Sequence, residues 1–136
     1  MHTDSLSDIV SYVRVFKNKW FNRWAHGENI PGSLLLKAAI EIVEGKVEAD
    51  LGGGLFKKRL ARTGSGKSGG YRTIVGYKRP NSERVIFLYA FAKSKKANIS
   101  AKEEAALSLV AEAFVSATDS QINRLLAEGS IWEVQQ

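Results

Sequence analysis

The run Val85–Phe91 (VIFLYAF) constrains the fold more than any other part of the sequence, because all seven residues are apolar. Successive side chains of an extended strand alternate between its two faces. The alternation puts Val85, Phe87, Tyr89 and Phe91 on one side and Ile86, Leu88 and Ala90 on the other. A strand that is apolar on both faces has to be covered on both. The sequence therefore predicts a central strand with other structure packed on each side of the sheet.

The rest of the chain supplies strands and helices in a simple order. LFKKRLAR, GYRTIVGYK and ERVIFLYAFAK are strand-like runs separated by turn-rich segments, which predicts an antiparallel meander. An alternating segment, residues 11–16, predicts an opening strand. Helical spacing and cap residues predict helices over 19–25, from Pro31 to Gly45, from Ser100 onwards, and from Asp119 to Gly129. We predict one α+β domain, residues 1–136, with a small antiparallel sheet of about four strands flanked by helices, in the order β-α-α-β-β-β-α-α.

Positive charge is concentrated in one part of the chain. Between Lys57 and Lys102 there are 13 lysines and arginines and a single acid, Glu83, whereas the remainder carries a net charge of −6. A field this concentrated suits a polyanion such as a nucleic acid, whose backbone contacts are largely electrostatic. The alternative is a solvated basic surface that serves solubility.

Several classes of protein are disfavoured by composition. The chain has no cysteine and only two histidines, His2 and His26, so we expect neither a disulfide framework nor a metal site, and we expect no cofactor. No stretch approaches the roughly 20 apolar residues of a membrane span, and the N-terminal segment is unlike a signal peptide. We expect a cytoplasmic protein without a membrane partner.

Residues 61–68 (ARTGSGKS) match a relaxed P-loop pattern. A working P-loop needs a helix directly after its lysine, since the helix N-terminus forms part of the phosphate site. Here Gly69 and Gly70 lead into a β-branched, aromatic run that favours a strand. We therefore interpret the segment as a loop that either brings Arg62 and Lys67 towards an RNA backbone or merely connects two strands.

Basic side chains on two neighbouring strands form the main candidate site. Lys57 and Arg59 are two residues apart and so share a face, and Arg72 opens the next strand of the hairpin, where it can lie beside them. Unpaired cations repel each other, so such a cluster indicates an anion site unless internal acids pair with it. Lys93, Lys95 and Lys96 follow the last strand, either as further RNA contacts or as a solvated turn.

Aromatic residues are assigned mainly to the core. Phe21 and Trp24 recur at helical spacing and are predicted to pack inward rather than to stack on bases. Tyr71 and Tyr89 remain open between core packing and stacking on a base.

The segments GGGLFKKRLARTGSGKSGGYRTIVGYK and VIFLYAFAKSKKANIS resemble the RelE-like toxins of type II toxin–antitoxin modules, in particular a subgroup with a GKSGGYR loop. The likeness covers most of 11–134 and is sharpest over 51–100. It implies a small antiparallel sheet with flanking helices, cleavage of mRNA in the ribosomal A site, and neutralisation by a cognate antitoxin protein. Lys57 and Arg59 match the family's two basic active-site positions, and Arg72 matches the arginine of its Gly-Tyr-Arg motif.

The resemblance implies a metal-independent endoribonuclease, in which a ribose 2′-hydroxyl attacks the adjacent phosphate. Such a reaction requires proton transfer and positive charge around the phosphorane. Arg59 and Arg72 are the candidates for binding its oxygens, and Lys57 is the leading candidate for proton transfer. This sequence lacks the family's later basic and aromatic positions and offers Ser94 and Ser100 instead, of which Ser100 is better explained as a helix cap. The general base is therefore open.

Two alternatives use the same fold. One is a non-catalytic RNA- or ribosome-binding module, in which the cations position phosphates and no bond is broken. The other is a gyrase-inhibiting, ParE-like toxin, for which a phosphate site on the sheet has no use.

Overall fold

A computed structural model describes residues 13–61, 70–78 and 84–135. Within these ranges the chain forms six strands, namely β1 (Arg14–Asn18), β2 (Ala49–Gly52), β3 (Leu55–Leu60), β4 (Tyr71–Tyr77), β5 (Arg84–Ala92) and β6 (Ile131–Glu133). Four helices accompany them, namely α1 (Lys19–Gly27), α2 (Gly32–Val43), α3 (Ala101–Ser116) and α4 (Asp119–Ala127). The predicted α+β class and the predicted order of elements are confirmed, with β2 and β6 as additions.

The strands form one mixed sheet in the order β2-β3-β4-β5-β1-β6. Neighbours are antiparallel except β1 and β5, which run parallel with Arg14 opposite Arg84. The sheet differs from the predicted small antiparallel sheet of about four strands in two respects, since it has six described strands and one parallel pair. β2 and β6 have four and three residues, too few for an alternating pattern to be recognised, and the parallel pair joins segments 70 residues apart.

Both faces of the sheet are covered. α1 and α2 enclose one core with residues such as Phe21, Leu35 and Val75. α3 and α4 enclose a second core on the opposite face with residues such as Phe114 and Ile122. β5 lies between β4 and β1 and contributes to both cores, so its prediction as a covered central strand is confirmed.

A β-bulge changes which way the second half of β5 faces. Val75 is paired with Phe87, but the next residue pair is Ile74 with Tyr89, so Leu88 is an extra residue. Beyond the bulge, Phe91 joins the α3 side of the sheet and Ala90 the α1 side. The predicted grouping of Tyr89 and Phe91 with Phe87 is therefore wrong, because a bulge shifts the alternation of side chains by one residue.

The helix starts follow the sequence. Asn18 Oδ1 accepts a hydrogen bond of 2.8 Å from Phe21 N at the start of α1. Ser100 and Glu103 form a complete capping box at the start of α3, which confirms the cap assigned to Ser100. Pro31 is the residue before α2, as its fixed φ favours.

The β2–β3 hairpin explains the run of three glycines. Gly53 and Gly54 form the turn with φ of 62° and 85°, a left-handed conformation that glycine adopts without strain. A Cβ on Gly54 would also lie 3.1 Å from the carbonyl oxygen of Tyr77. The triplet therefore forms the tight turn between β2 and β3.

A partly buried ion pair connects α2 to β3 and makes the stability of the fold depend on pH. Lys58 Nζ lies 2.8 Å from Glu41 Oε1, and this contact lowers the pKa of Glu41 below its usual 4.5. Because the pKa of Glu41 is lower in the folded protein than in the unfolded chain, the ion pair stabilises the fold at pH values above 4.5. This contribution is lost as the pH falls through the pKa of the folded state. We expect Glu41→Gln to reduce the free energy of unfolding at neutral pH by less than about 1 kcal/mol, since the carboxylate is partly exposed.

Urea unfolding of both proteins at neutral pH and below pH 4.5 tests this prediction. The difference between wild type and Glu41→Gln should shrink on acidification. A difference that stays constant, or grows, would show that the ion pair does not stabilise the folded state.

Candidate nucleic-acid interface

The β3–β4 hairpin brings the three predicted cations to one face of the sheet. Lys57 and Arg59 are two residues apart on β3, and Arg59 is paired directly with Arg72 on β4. Directly paired residues of antiparallel strands project to the same side. Their exposure differs, because Arg59 is exposed, Lys57 is half-buried and Arg72 is 9% exposed. The predicted proximity of Arg72 to the other two cations is confirmed.

An internal acid pairs with one of the three cations. Arg72 Nε lies 2.7 Å from Glu48 Oε1, at the entrance to β2. Lys57 Nζ donates a hydrogen bond of 3.4 Å to Asn98 Oδ1, which is a neutral partner. Within the part of the chain that the structure describes, Lys57 and Arg59 form no ion pair. Two of the three positive charges are thus uncompensated by any described acid.

Arg59 and Arg72 line an open depression of about 390 Å³. Its other lining residues are Lys46, Val47, Glu48 and Lys58. Lys46, Lys58 and Arg72 each form an ion pair, with Glu44, Glu41 and Glu48 in turn, so Arg59 is the lining cation that has no described acidic partner and is available to an anionic group. Lys57 does not line the depression and lies instead beside Asn98, in the loop that follows β5. The cluster therefore consists of an arginine pair in a concave site and a lysine next to it.

The lysines after β5 differ in their partners. Lys93 Nζ donates to the carbonyl oxygen of Ala97 at 2.7 Å, and Lys95 is exposed. Lys96 Nζ contacts both carboxylate oxygens of Glu103 at 2.7 and 2.8 Å, and this hydrogen-bonded pair lowers the pKa of Glu103 and raises that of Lys96. Lys93 and Lys95 thus contribute more free positive potential than Lys96.

The remaining predicted residues divide into two groups. Arg62 and Lys67 lie outside the described residues. The chain that follows the P-loop-like motif enters β4 at Tyr71, so the predicted strand is confirmed where a P-loop requires a helix. Tyr71 is buried and its hydroxyl donates to Glu28 at 2.6 Å, while Tyr89 is half-buried.

Glu48 and Asn98 are the two site residues that sequence reasoning missed. Glu48 is 24 residues before Arg72 and Asn98 is 41 residues after Lys57, and neither belongs to a recognisable motif. Their places follow from the short strand β2 and from the loop after β5. The sequence offered Glu83, which lies outside the described residues, or acids of the helices as partners, whereas Glu48 lies between α2 and β2.

The described residues contain no candidate membrane span and no candidate metal site. None of the described helices combines the length and apolar character needed to cross a membrane. Among residues 13–61, 70–78 and 84–135, no group of three or more His, Cys, Asp or Glu side chains is arranged to hold a metal ion.

Comparison with known proteins identifies the family. No curated protein matches the sequence. The family described as the RelE toxin of the RelE/RelB toxin–antitoxin system matches residues 13–134, which include every strand and helix named above. The chain therefore belongs to the RelE toxin family and is the toxin of a toxin–antitoxin module, with an antitoxin as its partner.

Proposed function

We propose that this toxin is a ribosome-dependent endoribonuclease that cuts mRNA in the ribosomal A site and so inhibits translation. One observation carries the proposal, namely that Lys57, Arg59 and Arg72 share one face of the sheet while Lys57 and Arg59 have no described acidic partner. Membership of the RelE toxin family supports it. Cleavage of translating mRNA would place its action in the cytoplasm.

The reaction is a transesterification within the RNA. The ribose 2′-oxygen loses its proton and bonds to the adjacent phosphorus, the bond from phosphorus to the 5′-oxygen breaks, and that oxygen takes up a proton. The products are a 2′,3′-cyclic phosphate and a free 5′-hydroxyl. The phosphorane between them carries more negative charge than the phosphate, so fixed cations lower its energy more than that of the substrate.

Each residue has a distinct role in the proposal. Arg59 and Arg72 bind the phosphorane oxygens, because the planar guanidinium can donate two parallel hydrogen bonds. Lys57 accepts the proton that leaves the 2′-hydroxyl and donates it to the leaving 5′-oxygen. Lys93 and Lys95, together with Lys96, Arg62 and Lys67, contact the RNA backbone on either side. These contacts release counterions from the RNA, so binding to the RNA becomes weaker as the salt concentration rises.

Primer extension on mRNA from translating ribosomes tests the proposed function. We expect codon-phased cuts when purified toxin is added to translating ribosomes, 2′,3′-cyclic phosphate ends on the fragments, and no cuts in the same mRNA without ribosomes. RNA binding without any cleavage would instead support a non-catalytic module. Inhibition of DNA gyrase without cleavage would support the ParE-like alternative.

Glu48 allows a separate test of how the arginine is held. Its ion pair with Arg72 is partly exposed, with 36% of the Glu48 side chain accessible, and such a pair contributes about 0–1 kcal/mol. Glu48→Gln keeps an oxygen that accepts from Arg72. We therefore expect cleavage on ribosomes to slow by less than about tenfold, as measured by initial rates of primer-extension product. A loss of about 10²–10⁴-fold would make Glu48, rather than Lys57, the proton acceptor.

A further inference from the structure

An exposed tryptophan packs against Tyr89 and has no role in the reaction described above. Trp20 lies in the first turn of α1 and is 41% exposed, which is unusual for the side chain with the most apolar surface to bury. Its ring centroid is 4.6 Å from that of Tyr89, at an angle of 37°. The two rings form an aromatic pair that is open to solvent on the Trp20 side.

The bulge in β5 places Tyr89 on the face of the sheet that carries Lys57. Because Leu88 is an extra residue, Tyr89 is paired with Ile74, and Ile74 is paired in turn with Lys57. The three residues form one row across β3, β4 and β5, in which the first and last backbones are about 10 Å apart at two strand spacings. Without the bulge, Tyr89 would face α1 and α2. Bulges often redirect a side chain towards a functional site.

Lys96 holds the Tyr89 side chain in this position. Lys96 Nζ lies 3.3 Å from the Tyr89 hydroxyl and 5.3 Å from the centre of its ring, and Glu103 fixes Lys96 in turn. The Tyr89 ring also packs against the ring of Trp20. Trp20 and Trp24 are nearly parallel, with 9° between their planes and 6.4 Å between their centroids. Trp20 thus lies between Tyr89 and Trp24 and is the most exposed of these three rings.

Two cations are close to the exposed ring in the sequence of α1. Arg23 follows Trp20 by three residues and is therefore its neighbour on the helix surface, whereas Lys19 directly precedes Trp20 and projects in another direction. Both are exposed, and neither forms an ion pair with any described residue. An exposed aromatic ring beside an unpaired cation has the chemistry of single-stranded nucleic-acid binding, in which bases stack and phosphates are held by charge.

We propose that Trp20 and Tyr89 form a stacking platform for a nucleobase of the RNA strand whose phosphate Arg59 and Arg72 bind. The proposal rests on the function proposed above and deepens it. Arg23 holds a phosphate next to the stacked base. Because every base offers a flat π-face, the platform adds affinity and positions the strand without selecting a sequence.

Fluorescence titration with an uncleavable RNA tests the platform. The probe is a single-stranded oligoadenylate in which every ribose is 2′-O-methylated, so that no 2′-hydroxyl can attack. A Trp24→Phe, Trp132→Phe double variant leaves Trp20 as the sole tryptophan, since the chain has three. We expect the oligomer to quench Trp20 fluorescence. In the otherwise unaltered protein, Trp20→Ala should weaken binding about tenfold, while Trp20→Phe retains most of the affinity.

A matched oligomer without bases separates stacking from charge. An abasic ribose-phosphate chain of the same length should bind wild type and Trp20→Ala equally well, whereas Arg59→Ala should weaken the binding of both oligomers. Equal affinity of wild type and Trp20→Ala for oligoadenylate, or no quenching, would overturn the platform. Loss of antitoxin binding in Trp20→Ala with RNA binding intact would also overturn it, because the ring would then be a protein contact.

The same titration distinguishes failure of the platform from failure of the phosphate site. If Arg59→Ala binds both oligomers as wild type does but Trp20→Ala does not bind oligoadenylate, the platform stands and the phosphate site of the proposed function fails. If Arg59→Ala weakens binding and Trp20→Ala has no effect, the phosphate site stands and the platform fails. Thermal unfolding of each variant checks that the substitution has not reduced the folded fraction.

Discussion

Arg72→Ala is expected to abolish codon-phased cleavage, lowering the rate on translating ribosomes by about 10²–10³-fold. Arg72 is directly opposite Arg59 in the β3–β4 register, so the two guanidinium groups can bind one phosphorane together. Removing one donor that is matched to a developing negative charge raises the barrier to the reaction far more than it weakens substrate binding. Initial rates of primer-extension product, at equal concentrations of folded protein, measure the effect.

Two control variants separate this effect from changes in charge and stability. Arg124→Ala removes one exposed cation from α4 and should leave cleavage unchanged. Arg72→Lys keeps the charge but loses the planar pair of donors, and we expect it to restore only a small part of the rate. Arg72 is 9% exposed and pairs with Glu48, so urea unfolding of each variant is needed to correct for the folded fraction. Cuts of equal strength in wild type and Arg72→Ala would remove Arg72 from the mechanism.

Much of the fold could be predicted from the sequence because its signals are local. The helix starting after Ser100 follows from a capping box that spans four residues, and α1 begins at the cap residue Asn18. The apolar run of β5 required cover on both faces, and two helical layers provide it. In each case the residues that determine the structure are neighbours in the chain.

The errors in the fold prediction have a common physical cause. The parallel pairing of β1 with β5 joins residues 70 positions apart, and nothing in either segment specifies the partner. The bulge at Leu88 is a property of the β4–β5 pairing rather than of the β5 sequence, which is apolar at every position from 85 to 91. A uniformly apolar run carries no alternation from which the facing of Tyr89 could be read.

The candidate site likewise combines features that follow from local sequence with features that depend on the tertiary structure. The shared face of Lys57, Arg59 and Arg72 was predictable because a two-residue spacing and a hairpin determine it. The ion pair of Arg72 with Glu48 was not, since it depends on how β2 pairs with β3. The aromatic pair of Trp20 and Tyr89 also required the tertiary structure, because α1 has to lie alongside β5 beyond the bulge.

Lys57 provides the second large effect, since proton transfer by a positioned side chain contributes about 10²–10⁴-fold. We expect Lys57→Ala to reduce cleavage on ribosomes by that factor. Its contact with Asn98 is long, at 3.4 Å, so the substitution should change the free energy of unfolding by less than about 0.5 kcal/mol. Lys78→Ala, which removes an exposed lysine just after β4, is the matched control and should cleave as wild type does.

Lys57→Arg decides which property of Lys57 matters. Arginine keeps the positive charge at the same position of β3 but does not release its proton in proteins. If Lys57 transfers a proton, Lys57→Arg should be as inactive as Lys57→Ala, while both variants still bind the 2′-O-methylated oligoadenylate with at most a modest loss of affinity. Substantial cleavage by Lys57→Arg would mean that Lys57 supplies charge alone. The proton acceptor would then have to be sought among the other groups near the arginine pair, of which Glu48 is the described carboxylate in contact with Arg72.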